Sequence, residues 1–340
     1  MKIGILTFHW ATNYGAVLQC YALQEYLKSL GHEVEIVNYK PRKYDFWFKY
    51  VKRPWLFKRL QKDLIAQKKE KHLDSFRKAK LNLTSRYHST KELGNTQFDY
   101  DIVVSGSDQV LNPSYTLKGE DSPTAAYYLK PFKDAIRIGY AISFGCVVYP
   151  TEVLPYSKQW IKGFERIGVR EESGIKVLMQ MGYNGFVEVV PDPTILLGKE
   201  LFRSIQIRIP KEKDYLCVYI LRKHIDLHRE NVVYIDDYNN PLSMEEWIGT
   251  IKGSKGLITN SYHGMIVALL NHVPFVVIAD AKNMNDRFHT LLSKIGLLDR
   301  VVEDGKEYET IINEPMDWNT IDYKLSVFSA RGRDFIGTII

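Results

Sequence analysis

The opening 38 residues restrict the architecture more than any other stretch. Residues 3–8 are apolar, Thr12-Asn13-Tyr14-Gly15 reads as a turn, and residues 17–30 carry apolar side chains at helical spacing until Gly31 stops them. Val34-Glu35-Ile36-Val37 then returns to an extended pattern. Strand, helix and strand in this order make a βαβ unit, the building block of an open parallel sheet. The pattern recurs down the chain. Residues 100–104 form a strand that empties into Ser105-Gly106-Ser107-Asp108-Gln109, and residues 137–142 a strand that ends at Ser143-Phe144-Gly145. Residues 157–164 and 171–181 have helical spacing, the latter closed by Gly182, and flank a short strand at 167–169. Residues 187–190 lead into Pro191-Asp192-Pro193-Thr194. Further strands are expected at 215–221, 232–235, 256–259 and 275–278, with helices near 243–251 and 286–295.

A chain of 340 residues, 45% hydrophobic and 25% charged, exceeds one typical core. The fold class that follows is α/β: two Rossmann-like domains facing a central cleft. We expect an N-terminal domain at 1–165 and a C-terminal domain at 166–340, with the last helix packing back on the first. Prolines punctuate 195–212 as well as 150–165, so the later position fits equally. Three widely spaced cysteines, Cys20, Cys146 and Cys217, suggest neither a disulfide framework nor a zinc site and point to the cytoplasm. The apolar start is short and lacks a small-residue cleavage site, so it reads as a strand rather than a signal peptide. No window reaches the roughly 18 apolar residues of a transmembrane helix.

Net charge is +6, concentrated in one region. Residues 40–80 hold 15 Lys/Arg against 4 Asp/Glu, leaving 31 against 36 elsewhere. Phe46, Trp47, Phe48, Tyr50, Trp55, Leu56 and Phe57 are interleaved with that charge. The mixture suits peripheral contact with an anionic membrane, or equally a helical insertion packed on its own domain. No reader motif accompanies it, so nucleic acid is not an expected partner.

In open α/β sheets ligands gather beyond the carboxyl ends of strands, and the polar strand ends supply the candidates. At residues 256–264 a strand runs into Asn260-Ser261-Tyr262-His263-Gly264 and a helix, whose free N–H groups favour an anion. Asn13-Tyr14-Gly15-Ala16 with Gln19, Val104-Ser105-Gly106-Ser107-Asp108-Gln109-Val110 with Asn112-Pro113, and Tyr140-Ala141-Ile142-Ser143-Phe144-Gly145 come first. Val169-Arg170-Glu171-Glu172-Ser173-Gly174, Pro191-Asp192-Pro193-Thr194, Asn260-Ser261-Tyr262-His263-Gly264 and Asp286-Arg287-Phe288 follow. In this order and spacing they resemble the polysaccharide pyruvyl transferase family across nearly the whole chain. The resemblance implies a GT-B-like fold and transfer of a carboxyvinyl-derived unit from phosphoenolpyruvate to two sugar hydroxyls, giving a cyclic ketal and phosphate. Phosphoenolpyruvate is then a co-substrate, no metal or other cofactor is required, and the acceptor is a glycan or a lipid-linked sugar.

Family members often carry an arginine before the histidine of the last glycine motif, where this chain has Ser261-Tyr262-His263. The donor's phosphate and carboxylate need cations, for which arginine's fork is well suited. Arg170, Arg222 with Lys223, and Arg287 are the candidates, beside Ser261, His263 and Gly264. His263 is the expected general acid or phosphate ligand and Asp108 the expected base. Asn13, Tyr14, Gln19, Ser107 and Gln109 are expected on the acceptor side. Asp192, between two prolines, reads as a hinge support, His9 as a buried or cleft histidine, and His224 with His228 as a poor metal pair. A GT-B glycosyltransferase using a nucleotide sugar and a non-catalytic glycan-binding subunit are the alternative readings.

Overall fold

The computed structural model describes residues 1–46, 60–115, 123–221, 227, 230–236, 239–279, 286–302 and 308–339. Its strands fall into two all-parallel sheets. The first contains β1 (Lys2–Leu6), β2 (Glu33–Ile36), β3 (Ile102–Asp108), β4 (Ile136–Ile142), β5 (Arg166–Val169) and β6 (Phe186–Val189), in the order β2-β1-β3-β4-β5-β6. The second contains β7 (Leu216–Tyr219), β8 (Val232–Tyr234), β9 (Gly256–Thr259), β10 (Phe275–Ile278) and β11 (Val301–Val302), in the order β11-β10-β9-β7-β8. In each sheet the chain reverses its direction of travel between two neighbours, β1/β3 and β7/β9. A crevice opens at such switch points, and the two crevices face one another.

Strands β5 and β6 belong to the first sheet, so the boundary expected at 165 is corrected: it cuts through that sheet. Ladder hydrogen bonding of β5 to β4 decides the matter, with Ile138 beside Arg166 and Ile142 beside Val169. The change of sheet lies between β6 and β7, where the alternative at 195–212 stood. Helix Trp318–Gly337 returns to the first domain, where Phe335 packs near Tyr140 and Ser329 Oγ donates to the Ile195 carbonyl at 2.9 Å.

Helix α1 (Tyr14–Ser29) begins where Asn13 Oδ1 accepts from the Ala16 N–H at 3.1 Å, and it is buried on nearly every face. Its start touches the second domain. Tyr14 stacks on Trp247 of helix Met244–Lys252 at 4.9 Å between ring centres, and its hydroxyl donates to the Leu242 carbonyl at 2.6 Å. The basic segment contributes helix α2 (Leu60–Lys80), anchored to the loop after β1. Arg77 Nε donates to the His9 carbonyl at 2.7 Å and Arg77 Nη2 to the Ala11 carbonyl at 2.9 Å. Lys69 Nζ sits 4.1 Å from the Tyr14 ring centre. This part of the segment is therefore packed on its own domain. The aromatic residues 47–57 lie outside the described residues, and no described helix is long and apolar enough to cross a membrane.

Because Trp247 is fully buried and shared by the two domains, truncation opens a cavity at their junction. Trp247→Ala should lower unfolding free energy by about 3–5 kcal/mol, read from the urea midpoint, and lower the cooperativity with which the domains melt.

Candidate active site

The facing strand ends bring four polar side chains around one carboxylate. Asp192 follows β6 and caps the short helix Pro193–Leu197, its Oδ1 accepting from the Thr194 N–H at 3.0 Å and the Thr194 hydroxyl at 2.7 Å. Its Oδ2 accepts from Arg170 Nη1 at 3.1 Å and from Ser107 Oγ at 3.3 Å. His263 Nε2, from the second domain, lies 3.4 Å from the same oxygen without hydrogen-bond alignment. Asp192 is fully buried. Burial raises its pKa, but the nearby His263, Arg170 and the Thr194 hydroxyl outweigh that and hold it below the usual carboxylate range. Its expected part as a hinge support is enlarged by this geometry: the carboxylate touches His263 directly.

Arg170 leaves β5 and is buried among acids, with Nη2 3.6 Å from Asp108 Oδ1 and Nε 3.7 Å from Glu171 Oε2. Burial alone would lower its pKa; Asp108, Asp192 and Glu171 raise it above the ordinary value. The guanidinium expected to hold a donor is thus committed to three acidic side chains. Arg287 differs. It opens helix Asp286–Ile295, lies half-buried, and sits 5.3 Å from the Tyr262 ring centre and 5.4 Å from that of Phe288. Among the described residues it makes no ion pair, and its buried Nε has no hydrogen-bond partner. Burial, then the charge of Arg170, lowers its pKa to about 10, which still leaves it cationic at neutral pH. Arg222 and Lys223 lie outside the described residues, as do His224 and His228.

Backbone geometry aims Asp108 at this cluster. Gly106 has φ +115°, and a Cβ there would stand 2.3 Å from the Tyr140 carbonyl oxygen. Asp108 itself has φ +83°, a left-handed conformation uncommon outside glycine and concentrated at functional sites. Its Oδ1 accepts from the Gln109 N–H at 2.8 Å. On the opposite wall Ser261 caps helix Tyr262–Leu270, accepting from the Gly264 N–H at 3.2 Å. The His263 ring packs on Gly15 so closely that a Cβ at 15 would be 2.1 Å from Nδ1.

The remaining expected residues divide. Ser107 reaches the Asp192 cluster, whereas Gln109 accepts from Asn112 Nδ2 at 2.9 Å on the neighbouring loop. Asn13 uses its side-chain oxygen as a helix cap. Gln19 is fully buried, donating to Thr7 Oγ1 at 3.0 Å and the Ala16 carbonyl at 2.7 Å, and Tyr14 is spent on the domain junction. The acceptor expectation for Gln19 and Tyr14 is therefore corrected, because neither presents a group to the cleft. His9 is a core histidine between the Thr7 carbonyl and the Asn38 amide, its pKa pushed down to about 4 by burial. Two residues of the quoted motifs were given no role of their own, Glu171 and Tyr262. Glu171 is buried and its Oε2 has no hydrogen-bond partner. The Tyr262 ring centre lies 5.1 Å from the Arg170 guanidinium and 5.3 Å from that of Arg287. Their positions directly after β5 and at a helix start were the available signals. Among the described residues no group of three or more His, Cys, Asp or Glu could hold a metal ion.

Two facing parallel-sheet domains with chemistry at their switch points define a GT-B-like protein. Solved structures agree on the fold. UDP-GlcNAc 2-epimerase from Methanocaldococcus jannaschii superposes with TM-score 0.53 at 11% identity, covering 94% of this chain and 95% of that one. UDP-GlcNAc 2-epimerase from Neisseria meningitidis bound to UDP-GlcNAc gives 0.50 at 10% identity, covering 98% and 94%. No curated protein matches by sequence. The family model for polysaccharide pyruvyl transferase matches residues 13–281, and the chain belongs to that family.

Two buried groups separate in their acid response. Between pH 6.5 and about 4 the unfolded chain binds a proton at His9 that the folded chain refuses, so stability falls over that window. The loss is about 3 kcal/mol at 1.36 kcal/mol per pKa unit, and His9→Gln should remove that slope in urea titrations. The contribution of Asp192 is complete above its unfolded value of 3.8 and is lost as pH falls through its lower folded value. Asp192→Ala, which leaves Arg170 short of a partner, should cost about 3–5 kcal/mol at neutral pH.

Proposed function

We propose that the protein transfers the pyruvyl unit of phosphoenolpyruvate to two hydroxyls of a sugar in a polysaccharide precursor, forming a ketal and releasing phosphate. Family membership supports transferase chemistry on a glycan. One observation carries the donor assignment: the Arg287 guanidinium, without an ion-pair partner among the described residues, lies beside Tyr262 at the start of helix Tyr262–Leu270. A donor bearing both phosphate and carboxylate needs such a fork, and Arg287 stands in for the arginine absent before His263. Ser261 and Gly264 shape the helix start, and His263 borders the donor pocket with its ring held by Gly15 and Asp192.

On this reading Asp108, on the first domain, accepts the proton of the attacking sugar hydroxyl, with Ser107, Asn13 and Gln109 on the loops of the acceptor side. Protonation of the donor's methylene, attack of the hydroxyl oxygen on its enol carbon and departure of phosphate require an acid, a base and an anion hold, for which Asp108 offers the base and Arg287 the hold. Phosphoenolpyruvate is the co-substrate and the chemistry needs no metal. We place the reaction in the cytoplasm, with residues 40–80 offering peripheral membrane contact to a lipid-linked acceptor.

Thermal unfolding with phosphoenolpyruvate, inorganic phosphate or UDP-GlcNAc tests the donor. Phosphoenolpyruvate at a hundred times its dissociation constant should stabilise by about 2.7 kcal/mol, and Arg287→Ala should abolish that gain. Stabilisation by UDP-GlcNAc with no response to phosphoenolpyruvate would instead establish nucleotide-sugar chemistry.

A further inference from the structure

The mechanism above leaves one buried acid without a task. Glu171 follows β5 directly after Arg170, is 3% exposed, and its Oε2 has no hydrogen-bond partner. Every charged group around it belongs to the cleft. Arg170 Nε lies 3.7 Å away on the same strand end, Arg287 and Asp286 approach from the second domain, and Ser143 and Cys146 flank it from the loop after β4. Asp286 itself crosses the boundary, accepting from the Ser173 N–H at 3.1 Å. Glu171 therefore stands where the two domains meet, within the field of the Arg287 cation. Burial raises its pKa more than Arg170, Ser143 and Arg287 lower it.

Resting on the pyruvyl-transfer reading, we propose that Glu171 is the proton donor to the methylene carbon of phosphoenolpyruvate. The Glu171 O–H bond breaks and a C–H bond forms from the enol π pair, which leaves the neighbouring carbon electron-poor. A sugar hydroxyl oxygen bonds to that carbon and its proton passes to Asp108. The second hydroxyl then displaces phosphate, which leaves with the C–O bond pair, and its proton restores Glu171. The proton held by Asp108 leaves with phosphate. Arg170 stabilises the transient Glu171 carboxylate, a role that its commitment to acids suits.

Charge balance supports a neutral starting acid. Asp108, Asp192, Glu171 and Asp286 as four carboxylates face at most three cations, Arg170, Arg287 and His263, so a fully ionised site is already negative before an anionic donor arrives. Protonated Glu171 removes that repulsion.

Calorimetric titration of phosphoenolpyruvate into wild type and Glu171→Gln, from pH 5.5 to 8 in buffers of different ionisation enthalpy, tests the assignment. Wild type should bind more weakly as pH rises and take up a proton on binding. Glu171→Gln, a mimic of the neutral acid, should bind without that Glu171-dependent uptake. With an acceptor that supports wild-type phosphate release, Glu171→Gln should lose about 10²–10⁴-fold in kcat, and Glu171→Asp should recover part of it. Wild-type turnover in Glu171→Gln, or a pH profile and proton uptake unchanged from wild type, overturns the role of Glu171 while leaving pyruvyl transfer intact. Absence of phosphoenolpyruvate binding by wild type overturns both readings. Should Glu171→Gln fail to fold, the pH profile and kcat of Glu171→Asp decide, with wild-type values for both again overturning the role.

Discussion

The arrangement of the cleft depends on one carboxylate oxygen, Asp192 Oδ2. It receives Arg170 and Ser107 from the first domain and faces His263 from the second, so the same atom fixes a strand end, a loop and the histidine of the opposite wall. Removing a charge from water costs several kcal/mol, which only close and numerous partners offset. Asp192 has them on both oxygens, since Thr194 satisfies the other twice. A hub of this kind is a poor place to store stability and a good place to fix geometry, because each partner loses its reason for position if the carboxylate moves.

Around that hub the chain accepts local strain. Gly106 and Asp108 both adopt positive φ, and the tight approach of Gly106 to the Tyr140 carbonyl leaves no room for a side chain. The effect is to turn Asp108 toward Arg170 rather than along the line of β3. Gly15 serves similarly across the boundary, where its missing side chain admits the His263 ring. Neither device stabilises the chain by itself; both allow chemically active groups to approach more closely than ordinary residues permit.

What was legible in the sequence was local. Alternating strands and helices, and the helix that starts beside His263 after β9, depend on residues within a few positions of one another, so their pattern survives in one dimension. The domain boundary did not, because β5 and β6 look like any short strand until their pairing with β4 is known. Tyr14 read as an acceptor residue since its turn lies at a strand end. Its partner carbonyl, at Leu242, is 228 residues away. Arg170 raised the same difficulty: nothing near it in sequence except Glu171 announces the acids that neutralise it. Periodicity locates strand ends well, but which of their side chains remain unpaired is decided by tertiary contacts.

That distinction governs how the two arginines differ in function. Both lie against Tyr262, at 5.1 Å and 5.3 Å, so aromatic contact does not separate them. Their acids do. Arg170 has three acidic neighbours, and an incoming anion would have to compete with groups already fixed within 3.1 to 3.7 Å. Arg287 feels Asp108 and Glu171 only at longer range and is itself pushed toward a lower pKa by burial and by Arg170. An anion placed beside Arg287 relieves that penalty instead of displacing a partner. The cation that costs most to leave unpaired is therefore the one best placed to gain from a ligand, while Arg170 stays engaged with Asp108 and Asp192.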